Sequence, residues 1–118
     1  MPNLIGQYLN HRRDKVSEST FNCYKSDLLQ LYRKLLGLTK GEFVDLCADN
    51  TDLDMLILKF SSIKAEQFLT ELSKRHPVST VKRKKHVMHS FFEFLKTSQK
   101  GITTNPFAKR RRHRLLAL

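Results

Sequence analysis

Five consecutive residues, Lys82-Arg83-Lys84-Lys85-His86, carry the chemistry this sequence offers most openly. Four cationic side chains in a row repel one another, and an outside polyanion relieves that repulsion. The phosphate backbone of a duplex is the commonest such polyanion. The run opens a predicted helix whose later turns are apolar, Val87 to Leu95. A helix that is basic at its tip and apolar along its body docks the body in a core and projects the tip outward. A helix N-terminus already carries partial positive charge from its unpaired N–H groups, so cations there cost stability where acids would be favoured. Binding an anion at that end offsets the cost, which separates this run from an ordinary solvated helix face. A second basic run, Lys109-Arg110-Arg111-Arg112-His113-Arg114, reads as a strap along phosphates that adds affinity without sequence information.

Other chemistries have less support. His86 and His89 stand at i, i+3, but no Cys, Asp or Glu completes a metal-ligand set beside them; Glu93 is placed within a cationic field. Asp49 to Asp54 has the look of a calcium loop, yet the sixth position is not glycine and the twelfth is Phe60 rather than an acid. Tyr8, Tyr24 and Tyr32 fall on apolar stripes and read as core residues, not nucleophiles. No phosphate-cradling glycine loop and no Ser/His/Asp arrangement is visible, so the sequence shows neither active site, metal site nor cofactor. Cys23 and Cys47 are too few for a disulfide framework and read as small buried or half-buried thiols in a reducing cytoplasm.

Charge is unevenly distributed along the 118 residues, whose formal net charge is +11. Residues 1–75 hold 11 Lys and Arg against 10 Asp and Glu, whereas residues 76–118 hold 11 against Glu93 alone. Between Gly41 and Leu58 stand Glu42, Asp45, Asp49, Asp52 and Asp54 with no base. Such polarity orients a molecule in a polyanion's field, with the acidic end facing away. The longest apolar run, Met55 to Leu58, is far too short to span a membrane, and the N-terminal residues lack a secretory pattern. A cytoplasmic protein, nucleoid-associated when bound to DNA, is expected.

The elements that must position the basic run are all helical: with 3 Pro and 4 Gly and long periodic stretches, the chain reads as one all-α domain. Asn3 caps a first helix with Leu4, Ile5, Tyr8 and Leu9 in one stripe. Ser17 or Ser19 opens a second, whose stripe is Phe21, Tyr24, Leu28, Leu31, Tyr32 and Leu35; Asn22, Ser26, Gln30 and Arg33 lie opposite, with Lys25 on the margin. Gly37 ends it. Thr39 and Glu42 form a capping box for a short helix through Leu46. Asn50-Thr51-Asp52 reads as a turn, and Met55 to Phe60 is open between a helical turn and an extended connection. Ser61 or Ser62 caps a helix with Ile63, Ala65, Phe68, Leu69 and Leu72 inward, stopping before Pro77. Ser79 caps the last helix, with Val81, Met88, Phe91, Phe92 and Leu95 inward. Lys84 shares their side, so the first turn is expected to overhang the core and leave Lys84 free to reach out. Gly101 breaks the helix and Asn105-Pro106 turns the chain.

From Ser19 onward, four pieces in order carry a resemblance: Ser19 to Leu35, Ser62 to Leu72, Ser79 to Pro106, and the basic run after it. A Ser/Thr-rich start with a Tyr in the second helix, an apolar Ile-Phe-Leu-Leu helix, and a Ser-Thr to Phe-Phe-Phe-Leu helix closing on Asn-Pro resemble the N-terminal, SAM-like core-binding domain of tyrosine recombinases, the phage integrase family. The acidic segment from Asn50 to Lys59 is longer than that pattern needs. The resemblance implies a compact four- to five-helix SAM-like bundle over residues 1–106, forming half of a clamp on double-stranded DNA. It implies that residues 107–118 are an interdomain linker to a catalytic domain beyond Leu118. It also implies that the second helix and the last long helix meet the major groove near their N-terminal ends. Carried over by position, this nominates Ser19, Thr20, Asn22 and Lys25 on the second helix, and Lys82, Arg83, Lys85 and His86 on the last. Charge alone adds Lys84 and the strap Lys109, Arg110, Arg111 and Arg112. The expected function is duplex DNA binding within DNA integration and recombination, non-catalytic by itself. Other recombinase protomers would be partners of the whole enzyme, and the isolated domain is expected to be monomeric. Two rival readings are a free-standing helical DNA-binding regulator and an RNA- or ribosome-associated protein held by charge.

Overall fold

Side-chain oxygens start four of the five helices among the described residues. In this computed structural model, which describes residues 3–39, 42, 49–98, 101–102 and 104–108, the helices are α1 (Leu4–Arg12), α2 (Glu18–Leu36), α3 (Thr51–Leu58), α4 (Ser62–Ser73) and α5 (Val78–Thr97). Asn3, Ser17, Asn50 and Ser61 each accept from a backbone N–H three residues on, satisfying one orphan donor of the first turn. Gly37 ends α2 at φ +68°, in the left-handed region where only glycine is unstrained, while Leu38 N–H bonds back to the Arg33 carbonyl at 2.8 Å. No strand occurs among the described residues, so the chain is an all-helical bundle.

The last helix starts differently from expectation. Pro77, not Ser79, is its N-cap, at φ −66° and ψ 161°, and Ser79 lies inside the first turn. The pyrrolidine ring fixes φ of Pro77 near its helical value while ψ remains extended, and helical geometry begins with Val78. Pro77 supplies no side-chain acceptor, which leaves the basic end of α5 without a capping side chain.

α2 lies against α1, α3 and α5, while α5 also packs on α1 and α4, so these two long helices form the frame. The core between them holds Ile5, Tyr8, Leu28, Leu31, Leu53, Ile57, Phe68, Val87, Met88, Phe91, Phe92 and Leu95, all essentially inaccessible. Phe60, Phe92 and Phe107 stack with centroids 5.6–5.8 Å apart, closing one end of the bundle. Asn105 secures that closure: its amide donates to the His89 carbonyl at 2.9 Å and to Glu93 at 3.1 Å, and its Oδ1 accepts from Phe107 N–H. The body of α5 is therefore gripped along its length, and its orientation is fixed.

Several expectations need correction. Asn50-Thr51-Asp52 is not a turn but the start of α3, which runs on through most of the open segment, because Asn50 caps it and Leu53 and Ile57, one turn apart, both bury. Asp54 then reaches the Leu4 N–H at 3.0 Å and caps α1 alongside Asn3. Ile63 is not inward but 62% exposed. Two residues before Ala65, it points about 160° away from the buried Ala65, Phe68 and Leu72. Cys23 is exposed rather than buried, being on the outward face of α2. The capping pair is half formed, with Thr39 N–H and hydroxyl both donating to Glu42; the short helix through Leu46 and Cys47 lie outside the described residues, as does the Lys109 to Arg114 strap.

Candidate nucleic-acid interface

Each step along an α-helix turns the side chain by about 100°, so four consecutive residues cannot all face one way. On α5, Lys82, Lys85 and His86 are exposed, and Arg83 is partly so, its side chain 49% accessible. Lys84 faces inward with Met88, Phe91 and Leu95 and is only 8% exposed. The expectation that Lys84 reaches out is thus overturned. The reason is Asp27, a fully buried carboxylate on α2, whose Oδ1 accepts from Lys84 Nζ at 2.7 Å. Gln30, one turn further along α2, takes a second Lys84 proton at 2.9 Å. A buried ammonium is tolerable only when paired and hydrogen-bonded, and both conditions hold.

Asp27 also receives Arg83, with Nη2 at 3.1 Å from Oδ1 and Nε at 3.4 Å from Oδ2. One carboxylate therefore pairs with two of the four cations and offsets one unit of their charge, so the run is partly neutralised from within the fold. What remains turned to solvent is Lys82, Lys85 and His86, with Arg83 anchored along one edge.

The α2 positions nominated by resemblance are arranged less simply. Ser19, Asn22 and Lys25 are exposed; Thr20 is half-buried, and its hydroxyl oxygen accepts from Ser17 within the helix cap. By helical angle Lys25 points about 160° away from Asp27, on the other side of α2 from the α5 tip. Asp27 and Gln30 meet Lys84, whereas Tyr24, earlier on α2, shares Arg12 with Ser90, later on α5. Eight residues of helix, roughly 12 Å, separate Ser19 from Asp27. Lys82, Arg83, Lys85 and His86 share the first turns of α5, while of the nominated α2 positions Ser19, Asn22 and Lys25 are exposed and Lys25 lies on the face of α2 away from Asp27.

Cations not nominated from the sequence adjoin the tip. A groove of about 630 Å³ between α2 and α4 is lined by Ser26, Gln30, Arg33, Arg75 and His76 over a floor that includes Phe68 and Leu72. Gln30 joins this groove to the tip through Lys84, and His76 immediately precedes the α5 cap. The Arg33 Nε is buried there with no hydrogen-bond partner. Lys34, on the same rim, is paired with Glu71, whose carboxyl is held below its ordinary pKa by that hydrogen bond. No signal in the sequence could have grouped these residues, because they come from different helices.

On the other flank of α5, Arg12 donates to Tyr8 Oη and Ser90 Oγ and lies over the Tyr8 and Tyr24 rings. Its pKa is raised, chiefly by the Tyr8 hydrogen bond. Comparison with family models, curated proteins and solved structures found no match. Among the described residues no three His, Cys, Asp or Glu side chains gather as a metal site, and no helix is long and apolar enough to cross a membrane.

Proposed function

We propose that this chain binds double-stranded DNA through the N-terminal turns of α5, as a binding module of the kind it resembles, the core-binding domain of tyrosine recombinases. The observation that carries this reading is the outward set Lys82, Lys85 and His86, mounted with Arg83 on a helix whose body is locked in the core by Phe91, Phe92 and Leu95. Rigid mounting matters because a side chain presented from a fixed helix loses less freedom on binding than one on a mobile arm. Arg33 and Arg75 beside the α2–α4 groove widen the positive surface. The basic strap from Lys109 to Arg114 adds to it in sequence.

The test is an anisotropy titration of a fluorescent duplex of about two helical turns at several salt concentrations. With about five phosphates neutralised, log affinity should fall against log salt with a slope of roughly −4 to −5. A flat response would remove the electrostatic basis of the proposal. Tighter binding to an RNA hairpin than to duplex DNA would turn it toward RNA.

A further inference from the structure

Arg83 differs from its lysine neighbours in being held by one edge. Its Nε and Nη2 donate to the two oxygens of Asp27, so the edge carrying those atoms is taken. The Nη1 group and the second Nη2 hydrogen are left at the far end, and the side chain is 49% accessible. Asp27 cannot swing away to follow another partner. It is fully buried, and Lys84 holds its Oδ1 from behind while Gln30 holds Lys84. The guanidinium plane is thereby aimed before any ligand arrives.

We propose that Arg83 is a specificity-determining residue that reads a guanine edge in the major groove, with Asp27 as the positioning residue that aims it. The inference rests on the DNA-binding reading above. Two parallel N–H donors at the end of a guanidinium match the O6 and N7 acceptors of guanine, which no other base pair presents together in the same way. Geometry favours a base edge over a phosphate. Asp27 shares its single charge between Lys84 and Arg83, so the cluster keeps one net positive charge, but the outer N–H pair of Arg83 is fixed in direction, which the planar acceptor pair of a base edge uses and a phosphate does not require. Lys82 and Lys85 are exposed point charges without such an anchor and suit the flanking phosphates.

The experiment selects duplexes from a randomised pool with the full chain, then measures competition between the selected site and the same site carrying 7-deazaguanine, which lacks the N7 acceptor. The expected result is enrichment of a guanine at one position and a loss of about tenfold to a hundredfold in affinity on deaza substitution. In Arg83→Lys, which keeps the charge but not the paired donors, that discrimination should fall to within about threefold, with the salt slope unchanged. A double change, Asp27→Asn with Lys84→Met, removes the buried pair and frees Arg83, and should lose discrimination in the same way; circular dichroism reports its fold. If the protein binds duplex DNA but Arg83→Lys keeps the guanine preference, the inference is overturned while DNA binding stands. It is overturned in the same way if Arg83→Ala weakens all duplexes equally and lowers the salt slope by about one, which marks a phosphate contact. No binding to any duplex at low salt overturns the DNA reading and this inference with it.

Discussion

Lys84→Ala separates two incompatible roles for the basic run. A lysine that overhangs the core and reaches DNA would, when truncated, cost affinity and leave stability alone. The structure requires the opposite. Asp27 is fully buried, and Lys84 gives it its shortest hydrogen bond, 2.7 Å. Removing one partner of a buried ion pair costs about 3–5 kcal/mol, because a charge is left in low dielectric without its counterion. Arg83 stays bound to Asp27 through 3.1 and 3.4 Å hydrogen bonds, so the lower end, about 3 kcal/mol, is the better expectation. With a urea dependence of about 1.5 kcal/mol per molar, that shifts the unfolding midpoint down by roughly 2 M. Unfolding is followed by circular dichroism, and DNA affinity is measured at a temperature where the variant is folded. Affinity per folded molecule should change less than threefold. Unaltered stability together with a tenfold loss of affinity would refute the buried-pair assignment.

The exposed lysines should behave in the reverse sense. Changing Lys82 and Lys85 together to Ala should lower the salt slope by nearly two and weaken DNA binding at least tenfold at about 0.15 M salt, with stability unchanged or raised by up to about 1 kcal/mol. Phe91→Ala, deep in the core against Tyr8 and Phe92, should cost about 3–5 kcal/mol in urea unfolding and leave affinity per folded molecule intact. Glu93 is held below its ordinary pKa, first by the Asn105 amide. Its stabilising contribution is therefore full above the unfolded carboxylate value and lost as pH falls through the lower folded value. Acid titration of Glu93→Gln should lack that part of the loss seen in the parent chain.

Local signals are the legible part of this fold. Asn3, Ser17 and Ser61 cap where a short polar residue precedes an apolar period, because capping is decided within three residues. The stripes of α2 and α5 are legible for the same reason, as packing needs only the helical period. α3 is not, since eight residues with acids at Asp52 and Asp54 give too short a period, although the Asn50 cap is there to be read. The tip departs from expectation at one residue. Lys84 follows the core period, and its partner Asp27 stands 57 positions away, between Ser26 and Leu28, where it looks like ordinary helix flank. A long-range charge partner leaves no local trace. The groove cations Arg33 and Arg75 are hidden for the same reason.

The Asp27 cluster is a poor way to gain stability, and that bears on why it is there. Desolvating two charges costs about as much as their attraction returns, and hydrophobic replacements of buried pairs are often neutral or stabilising. What the cluster supplies is orientation: it turns a run of four like charges into two exposed lysines, one anchored arginine and one buried strut. A double-mutant cycle tests this division. Asp27→Asn alone leaves Lys84 with only Gln30, and Lys84→Met alone leaves Asp27 with only Arg83, so each should cost about 2–4 kcal/mol. Together they remove both buried charges, and the double variant should lose less than the sum of the singles by about 2 kcal/mol or more. Additive costs would mean that Asp27 and Lys84 act separately, and the orienting role of the pair would then have no energetic basis.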